Sequence, residues 1–205
     1  MSLGTRLFAA TYDRMCRKTE AAGLQAHRES LLAQAHGRVL EIGAGTGRNL
    51  PFYPADAELT LVEPEKPMAR RLEKRLAGHA QQVELVRASA EELPFPDESF
   101  DVVVSTLVLC AVDDQPRALA EARRVLKPGG RLLFIEHHRS DDPALARKQD
   151  KMNRINRMVA HCDCNRATVD AIRDAGFTID KLDRDELKHV PSFVSPISIG
   201  AAVSG

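Results

Sequence analysis

Short apolar segments recur along the chain and alternate with longer stretches that have helical composition. One of these segments, 100–105, is almost continuously apolar, which is typical of a strand in a sheet covered on both faces. The segments that we predict as strands are 38–42, 59–63, 83–87, 100–105, 131–136, 177–182 and 197–203. This pattern predicts an α/β fold.

Helices are predicted in the stretches between these strands. Residues 3–36 are helical in composition, and Gly23 stands where one helix would break into two. Further helices are predicted at 66–78, 114–126, 143–160 and 167–175.

A glycine-rich turn follows the first predicted strand, and the rest of the chain is organised around it. Gly43, Gly45 and Gly47 lack Cβ atoms, so the backbone can take unusual dihedral angles and a ligand can approach it closely. We expect a helix to start after this turn and to be kept short by Pro51 and Pro54. Its free N–H groups would favour the carboxylate of an amino-acid-like ligand.

An acidic residue, Glu63, ends the second predicted strand, where its carboxylate can accept hydrogen bonds from both hydroxyls of a ribose. A glycine turn followed by such an acid indicates a nucleoside cofactor, either a nicotinamide dinucleotide or S-adenosylmethionine. The glycines follow the spacing G-x-G-x-G, and Arg48 stands where the third glycine of the dinucleotide fingerprint would fall. This departure argues against a nicotinamide oxidoreductase.

Three motifs resemble class I S-adenosylmethionine-dependent methyltransferases, in particular the methyltransferase type 11 domain. They are E-I-G-A-G-T-G at 41–47, L-P-F-P-D-E-S-F-D at 93–101 and R-V-L-K-P-G-G at 124–130. The resemblance implies a Rossmann-like three-layer sandwich, with a mostly parallel seven-stranded sheet, an antiparallel last strand and helices on both faces. It also implies direct in-line methyl transfer from S-adenosylmethionine, which leaves S-adenosylhomocysteine.

The same resemblance implies where the cofactor binds. The glycine turn would hold its methionyl part, Glu63 its ribose, and the loops after the third and fourth strands its adenine and its sulfonium. The residues expected in this site are Tyr12, Glu41, Gly43, Ala44, Gly45, Gly47, Asn49, Glu63, Pro64, Ser89, Ala90, Glu91, Thr106 and Leu107. We expect a single domain over 1–205, with a helical cap at 1–36 and a helical lid at 140–165.

Ser89 departs from the pattern of the family, which usually places an aspartate here, near the amino group of the adenine. A serine hydroxyl accepts a hydrogen bond more weakly than a carboxylate does. The backbone N–H of Ala90 or Glu91 could contact the ring instead. A cofactor-binding module without turnover therefore stays an alternative to an enzyme.

A closer resemblance concerns the methyl acceptor. F-Y-P at 52–54, T-L-V-L-C at 106–110, E-H at 136–137 and C-N at 164–165 look like one small-molecule branch of the family. That branch contains the vertebrate microsomal alkyl-thiol S-methyltransferases. The resemblance suggests a small thiol as the acceptor, with a quinol, a phenol or an amine as alternatives.

Two residues are candidates for the base that takes the proton of the acceptor. His137 ends the fifth predicted strand and titrates in a suitable range, although a neutral histidine hydrogen-bonded to the lid is the alternative. Asp113 is the second candidate, with a helix N-cap as its alternative role. Cys110 is expected to form a pocket wall, because direct transfer needs no covalent enzyme intermediate.

The remaining features bound the partners of the chain. The run H-C-D-C at 161–164 holds potential metal ligands, but its spacing matches no common structural zinc pattern, and we expect no metal. Balanced charge, with 29 basic and 29 acidic residues, argues against a nucleic-acid partner bound through bulk charge. The sequence shows no signal peptide or long apolar span, so we expect a cytoplasmic protein with reduced cysteines and without stable membrane insertion. The basic amphipathic helix at 143–160 leaves contact with a membrane surface or a partner as an alternative.

Overall fold

A seven-stranded sheet forms the centre of the molecule, whose computed structural model describes residues 3–79 and 81–205. The strands are β1 Arg38–Ile42, β2 Glu58–Val62, β3 Val83–Val86, β4 Phe100–Thr106, β5 Leu126–His137, β6 Phe177–Glu186 and β7 Pro196–Ser204. Their order in the sheet is β3-β2-β1-β4-β5-β7-β6. The strands β1 to β5 pair in parallel, and β7 is antiparallel to both β5 and β6. The predicted topology, with its antiparallel last strand, is therefore confirmed.

Six α-helices surround the sheet within the described residues. They are α1 Leu3–Thr19, α2 Gln25–Leu32, α3 Lys66–Leu76, α4 Gln115–Val125, α5 Pro143–Ala160 and α6 Thr168–Asp174. A π-helical turn, Glu20–Leu24, joins α1 to α2, and Gly23 in it has a φ of +144°. The predicted break at this glycine is confirmed, because a side chain rarely tolerates that backbone conformation.

Both faces of the sheet are buried against helices. On one face, Leu61 and Leu133 belong to a core that includes Leu32 of α2 and Leu72 of α3. On the other face, a second core brings residues of β1, β4 and β5 against α4 and α6; among its members are Leu40, Val103, Phe134, Leu119 and Ile172. This arrangement confirms the predicted three-layer sandwich, and it follows from side chains that alternate across each strand.

The segment after the glycine turn differs from the prediction. Hydrogen-bonded turns lead there into a single 3₁₀ turn, Leu50–Phe52, and the expected α-helix is absent from this described segment. Pro51 and Pro54 remove two N–H groups that an α-helix would need. The prediction of an α-helix after the turn is therefore wrong, and the binding of a carboxylate at the turn itself stays a prediction.

Strand β5 begins five residues before its predicted start at position 131, because Leu126 already pairs with Phe100 of β4. The register then shifts, and the pairing continues from Arg131 with Val102. The long helix α5 also departs from a simple amphipathic design. Its residues Ile155, Met158 and Val159 are exposed, whereas Ala146, Gln149 and Asn156 are buried. None of the helices among the described residues has the length and apolar character needed to cross a bilayer.

Candidate active site

The glycine turn after β1 is tightly packed at both ends and open in its middle. Gly43 and Gly47 have positive φ, and a Cβ on either would lie 2.6 Å from a side chain, that of Val108 or that of Leu72. Gly45 also has a positive φ, of +58°, but a Cβ there would meet no atom closer than 3.9 Å. A ligand can therefore approach the backbone at Gly45, as the sequence predicted for this turn.

Glu63 joins the end of β2 to the glycine turn. Its Oε2 accepts a hydrogen bond of 2.7 Å from the N–H of Gly45, and its Oε1 accepts one of 2.7 Å from the N–H of Glu65. Burial raises the pKa of Glu63, and these two backbone hydrogen bonds act in the opposite direction. Each carboxylate oxygen keeps a further lone pair, so both can still accept from a ligand hydroxyl.

Glu41 lies under the turn, on the last part of β1, and is 2% exposed. Its two carboxylate oxygens accept hydrogen bonds from Asn49 Nδ2 at 2.9 Å and from the Tyr53 hydroxyl at 2.7 Å. Burial raises the pKa of Glu41 to about 7, although both hydrogen bonds favour the charged form. Two residues that were expected in the cofactor site, Glu41 and Asn49, thus meet in a buried polar layer.

Arg28 on α2 enters the same layer, and the sequence analysis missed it. Its Nη2 lies 3.1 Å from Glu20 Oε1, while its Nη1 donates to Asn49 Oδ1 at 2.6 Å and to Thr106 Oγ1 at 3.2 Å. A signal was available, because Arg28 follows Leu24 by four residues on the apolar face of the helix. Charged residues on such a face are rarely buried unless they are paired.

Asp13 fastens the N-terminal helix onto the turn. Its Oδ1 accepts from the Thr46 hydroxyl at 2.7 Å, and its Oδ2 lies 2.6 Å from Arg75 Nη2. Next to it, Tyr12 packs on Phe8 with ring centroids 5.5 Å apart, and burial raises the pKa of its hydroxyl. The predicted cap residue Tyr12 therefore lies on a helix that is tied directly to the glycine turn.

The loop after β3 holds the residues expected near the adenine. Ser89 Oγ accepts a 3.2 Å hydrogen bond from the N–H of Glu91, which closes a local turn. Glu91 Oε1 accepts from the N–H of Asp114 at 2.6 Å, so this carboxylate also fixes the start of α4. Ala90 between them is buried, while Pro64 is exposed and its carbonyl accepts from Arg87 Nη2 at 2.5 Å.

The loop after β4 is built on a fully buried carboxylate, Glu136, which the sequence analysis did not single out as a site residue. Its Oε1 accepts from Ser105 Oγ at 2.7 Å and from the N–H of Val108 at 2.9 Å. Leu107, just before, has a φ of +60°, which a non-glycine residue adopts only when its surroundings hold it there. A charged residue inside the apolar run of β5 was the available signal.

His137 follows Glu136 at the end of β5 and is 9% exposed. Burial lowers the pKa of its imidazole to about 4, and a hydrogen bond to the backbone of Pro196 acts in the opposite direction. Its Nδ1 is buried and has no hydrogen-bond partner among residues 3–79 and 81–205.

Asp113 lies apart from this buried group. Its side chain is 88% exposed, and Oδ1 lies 2.8 Å from Arg157 Nη2 on α5. The alternative role of N-cap is wrong for Asp113, because Asp114 caps α4 by accepting from the N–H of Arg117 at 3.0 Å. Asp113, one residue before the cap, therefore takes no part in capping α4.

The run H-C-D-C after α5 does not gather into one cluster. His161 is exposed and packs on Phe8 with ring centroids 5.6 Å apart, and Asp163 pairs with Arg166 at 2.7 Å. Cys164 is buried with its Sγ 3.8 Å from Asn153 Oδ1. Cys162 alone turns toward Cys110 and His137.

Two comparisons identify the domain. Residues 40–134 match the family described as Methyltransferase domain. A solved structure from Thermotoga maritima, described as a SAM-dependent methyltransferase and possible histamine N-methyltransferase, is 26% identical and covers 98% of both chains with a TM-score of 0.71. This chain carries an S-adenosylmethionine-dependent methyltransferase domain. The predicted recognition and fold class are confirmed.

Characterised relatives of the methyltransferase domain differ in the acceptor that their names state. Human thiol S-methyltransferase TMT1B is 44% identical over 111 residues, which cover 52% of this chain and 46% of that protein. Phosphatidylethanolamine N-methyltransferase of Cereibacter sphaeroides is 34% identical over 130 residues, which cover 62% of this chain and 64% of that protein. The chain spans about half the length of the thiol methyltransferases that it matches.

Proposed function

We propose that this protein is an enzyme that transfers the methyl group of S-adenosylmethionine to a small-molecule thiol. The observation that carries the proposal is the junction of Glu63 with Gly45, where a buried carboxylate meets the open position of the glycine turn. This junction offers acceptors for ribose hydroxyls beside a backbone that a methionyl group can approach. The identity to human thiol S-methyltransferase TMT1B supports the thiol as acceptor.

The cofactor in this proposal lies across the carboxyl ends of β1, β2 and β4, where ligands of open α/β sheets bind. Glu63 holds the ribose, and Ser89, Ala90 and Glu91 border the adenine. Thr106 and Leu107 border the sulfonium, which places the reactive methyl near the loop that Glu136 supports. The polar layer of Glu41, Asn49 and Arg28 keeps this loop and the turn at a fixed separation.

The reaction is an in-line displacement. The thiol releases its proton to solvent, its sulfur forms a bond to the methyl carbon, and the bond between that carbon and the cofactor sulfur breaks. The products are a methyl thioether and S-adenosylhomocysteine. Because the cofactor brings an activated methyl group, the protein contributes orientation and exclusion of water. His137 ends β5 beside this loop, and we propose that it faces the acceptor.

An amine is the second candidate acceptor. The Cereibacter sphaeroides relative, an N-methyltransferase by name, shares a longer aligned segment with this chain than the human thiol methyltransferase does. The test is methyl transfer from labelled S-adenosylmethionine to small thiols, amines, phenols and quinols, with products read by mass spectrometry. A methyl thioether supports the proposal, and products on nitrogen or oxygen alone contradict the thiol acceptor.

A further inference from the structure

Three metal-ligating side chains converge from distant parts of the chain. Cys110 comes from the loop after β4, His137 ends β5, and Cys162 follows α5. One ligand atom from each residue, two sulfurs and a ring nitrogen, lies within 4.8 Å of the other two. None of these residues is a neighbour of another in sequence, so the fold itself brings the three together.

The separation of the ligand atoms suits a single tetrahedral ion. Zinc binds thiolate sulfur at about 2.3 Å, which puts two sulfurs on the same tetrahedral ion about 3.8 Å apart. An upper bound of 4.8 Å between all three atoms leaves only small shifts to reach that geometry. Cys110 is 1% exposed and Cys162 is half-buried.

His137 supplies an independent observation that points to a ligand. Its Nδ1 is buried without a hydrogen-bond partner among the residues that the structure describes. Buried polar atoms are almost always hydrogen-bonded, so an unsatisfied one indicates a bound partner such as an ion. Nδ1 can therefore serve as the ligand atom of His137. In a neutral imidazole one ring nitrogen carries a lone pair, and this is the form that binds a metal.

The backbone around the two cysteines is fixed by hydrogen bonds. The N–H of Asp163 donates to the carbonyl of Cys110 at 2.8 Å, which joins the loop of one cysteine to the segment of the other. Asn156 Nδ2 donates to the carbonyl of Cys162 at 2.7 Å. These hydrogen bonds therefore hold the backbone of both cysteines in place without an ion.

We propose that Cys110, His137 and Cys162 bind Zn²⁺ and leave its fourth position open. Two thiolates and an imidazole form the ligand type that zinc prefers, whereas Mg²⁺ and Ca²⁺ require oxygen. Two thiolates also balance the charge of the ion, and such a neutral unit suits a buried place. The expectation of no metal, which rested on the spacing within 161–164, is replaced by a site that uses only Cys162 of that run.

The open position takes the acceptor thiol, and this part rests on the proposed function. A thiol that binds the zinc releases its proton to solvent and becomes a thiolate. Its sulfur forms the bond to the methyl carbon while the bond from that carbon to the cofactor sulfur breaks. The product is a neutral thioether, a weaker ligand that leaves the zinc. The zinc changes neither its charge nor its oxidation state.

The test measures zinc on the full chain. The protein is reduced, incubated with zinc chloride, freed of loose metal by gel filtration, and analysed for zinc per chain by mass spectrometry. We expect one zinc per chain in the parent, and at least tenfold weaker zinc binding in Cys110→Ser and in Cys162→Ser. Cys164→Ser is the matched control for the buried cysteine, and Cys16→Ser for the half-buried one. Calorimetry with S-adenosylmethionine checks that each variant is folded.

Absence of zinc from the parent would overturn the proposal, as would equal zinc binding in all four cysteine variants. Cobalt substitution then tests the open position through the visible absorption of Co²⁺ bound to thiolate. A small alkyl thiol should change that spectrum, and the corresponding methyl thioether should not. An unchanged spectrum with the thiol would overturn the open position. Zinc binding without methyl transfer to any acceptor would overturn the proposed function and leave the zinc site standing.

Discussion

Arg28 donates to Asn49 at 2.6 Å and so connects the second helix to the segment that follows the glycine turn. The same guanidinium pairs with Glu20, which is also buried. Removal of one partner from a buried ion pair leaves an uncompensated charge and costs about 3–5 kcal/mol. We expect Arg28→Met to lower the free energy of unfolding by about that amount in urea titrations. Arg17→Met, at an exposed position of α1, is the control and should change it by less than about 0.5 kcal/mol. A loss below about 1 kcal/mol for Arg28→Met would contradict this account.

Substitutions at two glycines of the turn should have different effects, one on stability and the other on cofactor binding. Gly43→Ala places a Cβ against Val108, whereas Gly45→Ala finds open space and suffers only the strain of its positive φ, about 1–2 kcal/mol. We therefore expect Gly43→Ala to destabilise the protein more, and Gly45→Ala to keep its fold while it weakens cofactor binding at least tenfold. Thermal unfolding and calorimetry with S-adenosylmethionine measure the two effects.

The partner variant Gly43→Ala with Val108→Ala checks the cause of that destabilisation. It removes the atoms that the new Cβ would meet, so part of the lost stability should return. If the double variant loses as much free energy of unfolding as the two single variants together, contact with Val108 is not the cause of the destabilisation.

Glu41 should give the stability of the protein a specific dependence on pH. Burial raises its folded pKa from 4.5 to about 7, so between these values the folded chain holds a proton that the unfolded chain has released. The contribution of Glu41 to stability is therefore present at low pH and is lost as pH rises through about 7. In Glu41→Gln this loss, about 1–3 kcal/mol, should disappear. Urea titrations across this range compare the two proteins, and parallel curves would contradict the role of Glu41.

Glu63 should control cofactor affinity more than stability. Glu63→Gln keeps the size of the side chain but replaces one acceptor oxygen by an NH₂ donor. This donor cannot accept from the N–H of Gly45 or of Glu65, and it cannot accept from a ribose hydroxyl. We expect at least tenfold weaker binding of S-adenosylmethionine by calorimetry. Glu65→Gln is the matched control, because its side chain is exposed and its backbone N–H is unchanged. Equal affinities of the parent and of Glu63→Gln for S-adenosylmethionine would contradict the proposal that Glu63 binds the ribose.

Much of the fold could be predicted because its signals are local. The seven strands and the break at Gly23 each show in a few consecutive residues, and the turn at 43–47 shows in the spacing of its glycines. The end of the second predicted strand also fixed the place of Glu63, one residue after β2. Such features depend on neighbours in sequence, which the pattern of side chains records directly.

The parts of the site that could not be predicted depend on contacts between distant segments. Arg28 and Asn49 meet only after the helices pack. The charge of Glu136 inside an apolar run marks it as unusual, but the sequence does not show that it will hold the loop after β4. The prediction of a helix after the glycine turn was wrong, because hydrogen-bonded turns and a 3₁₀ turn that contains Pro51 form there instead. Likewise, the approach of Cys110 to Cys162 is invisible in either stretch of sequence.

Methyl transfer to a thiol tests the central claim most directly. The full chain is incubated with methyl-labelled S-adenosylmethionine and a small alkyl thiol, and the products are read by mass spectrometry beside Glu63→Gln and Glu65→Gln. The account predicts a labelled methyl thioether and an equal amount of S-adenosylhomocysteine, with turnover reduced in Glu63→Gln at subsaturating cofactor and unchanged in Glu65→Gln. Labelled product on amines, phenols or quinols alone, with none on the thiol, would contradict it.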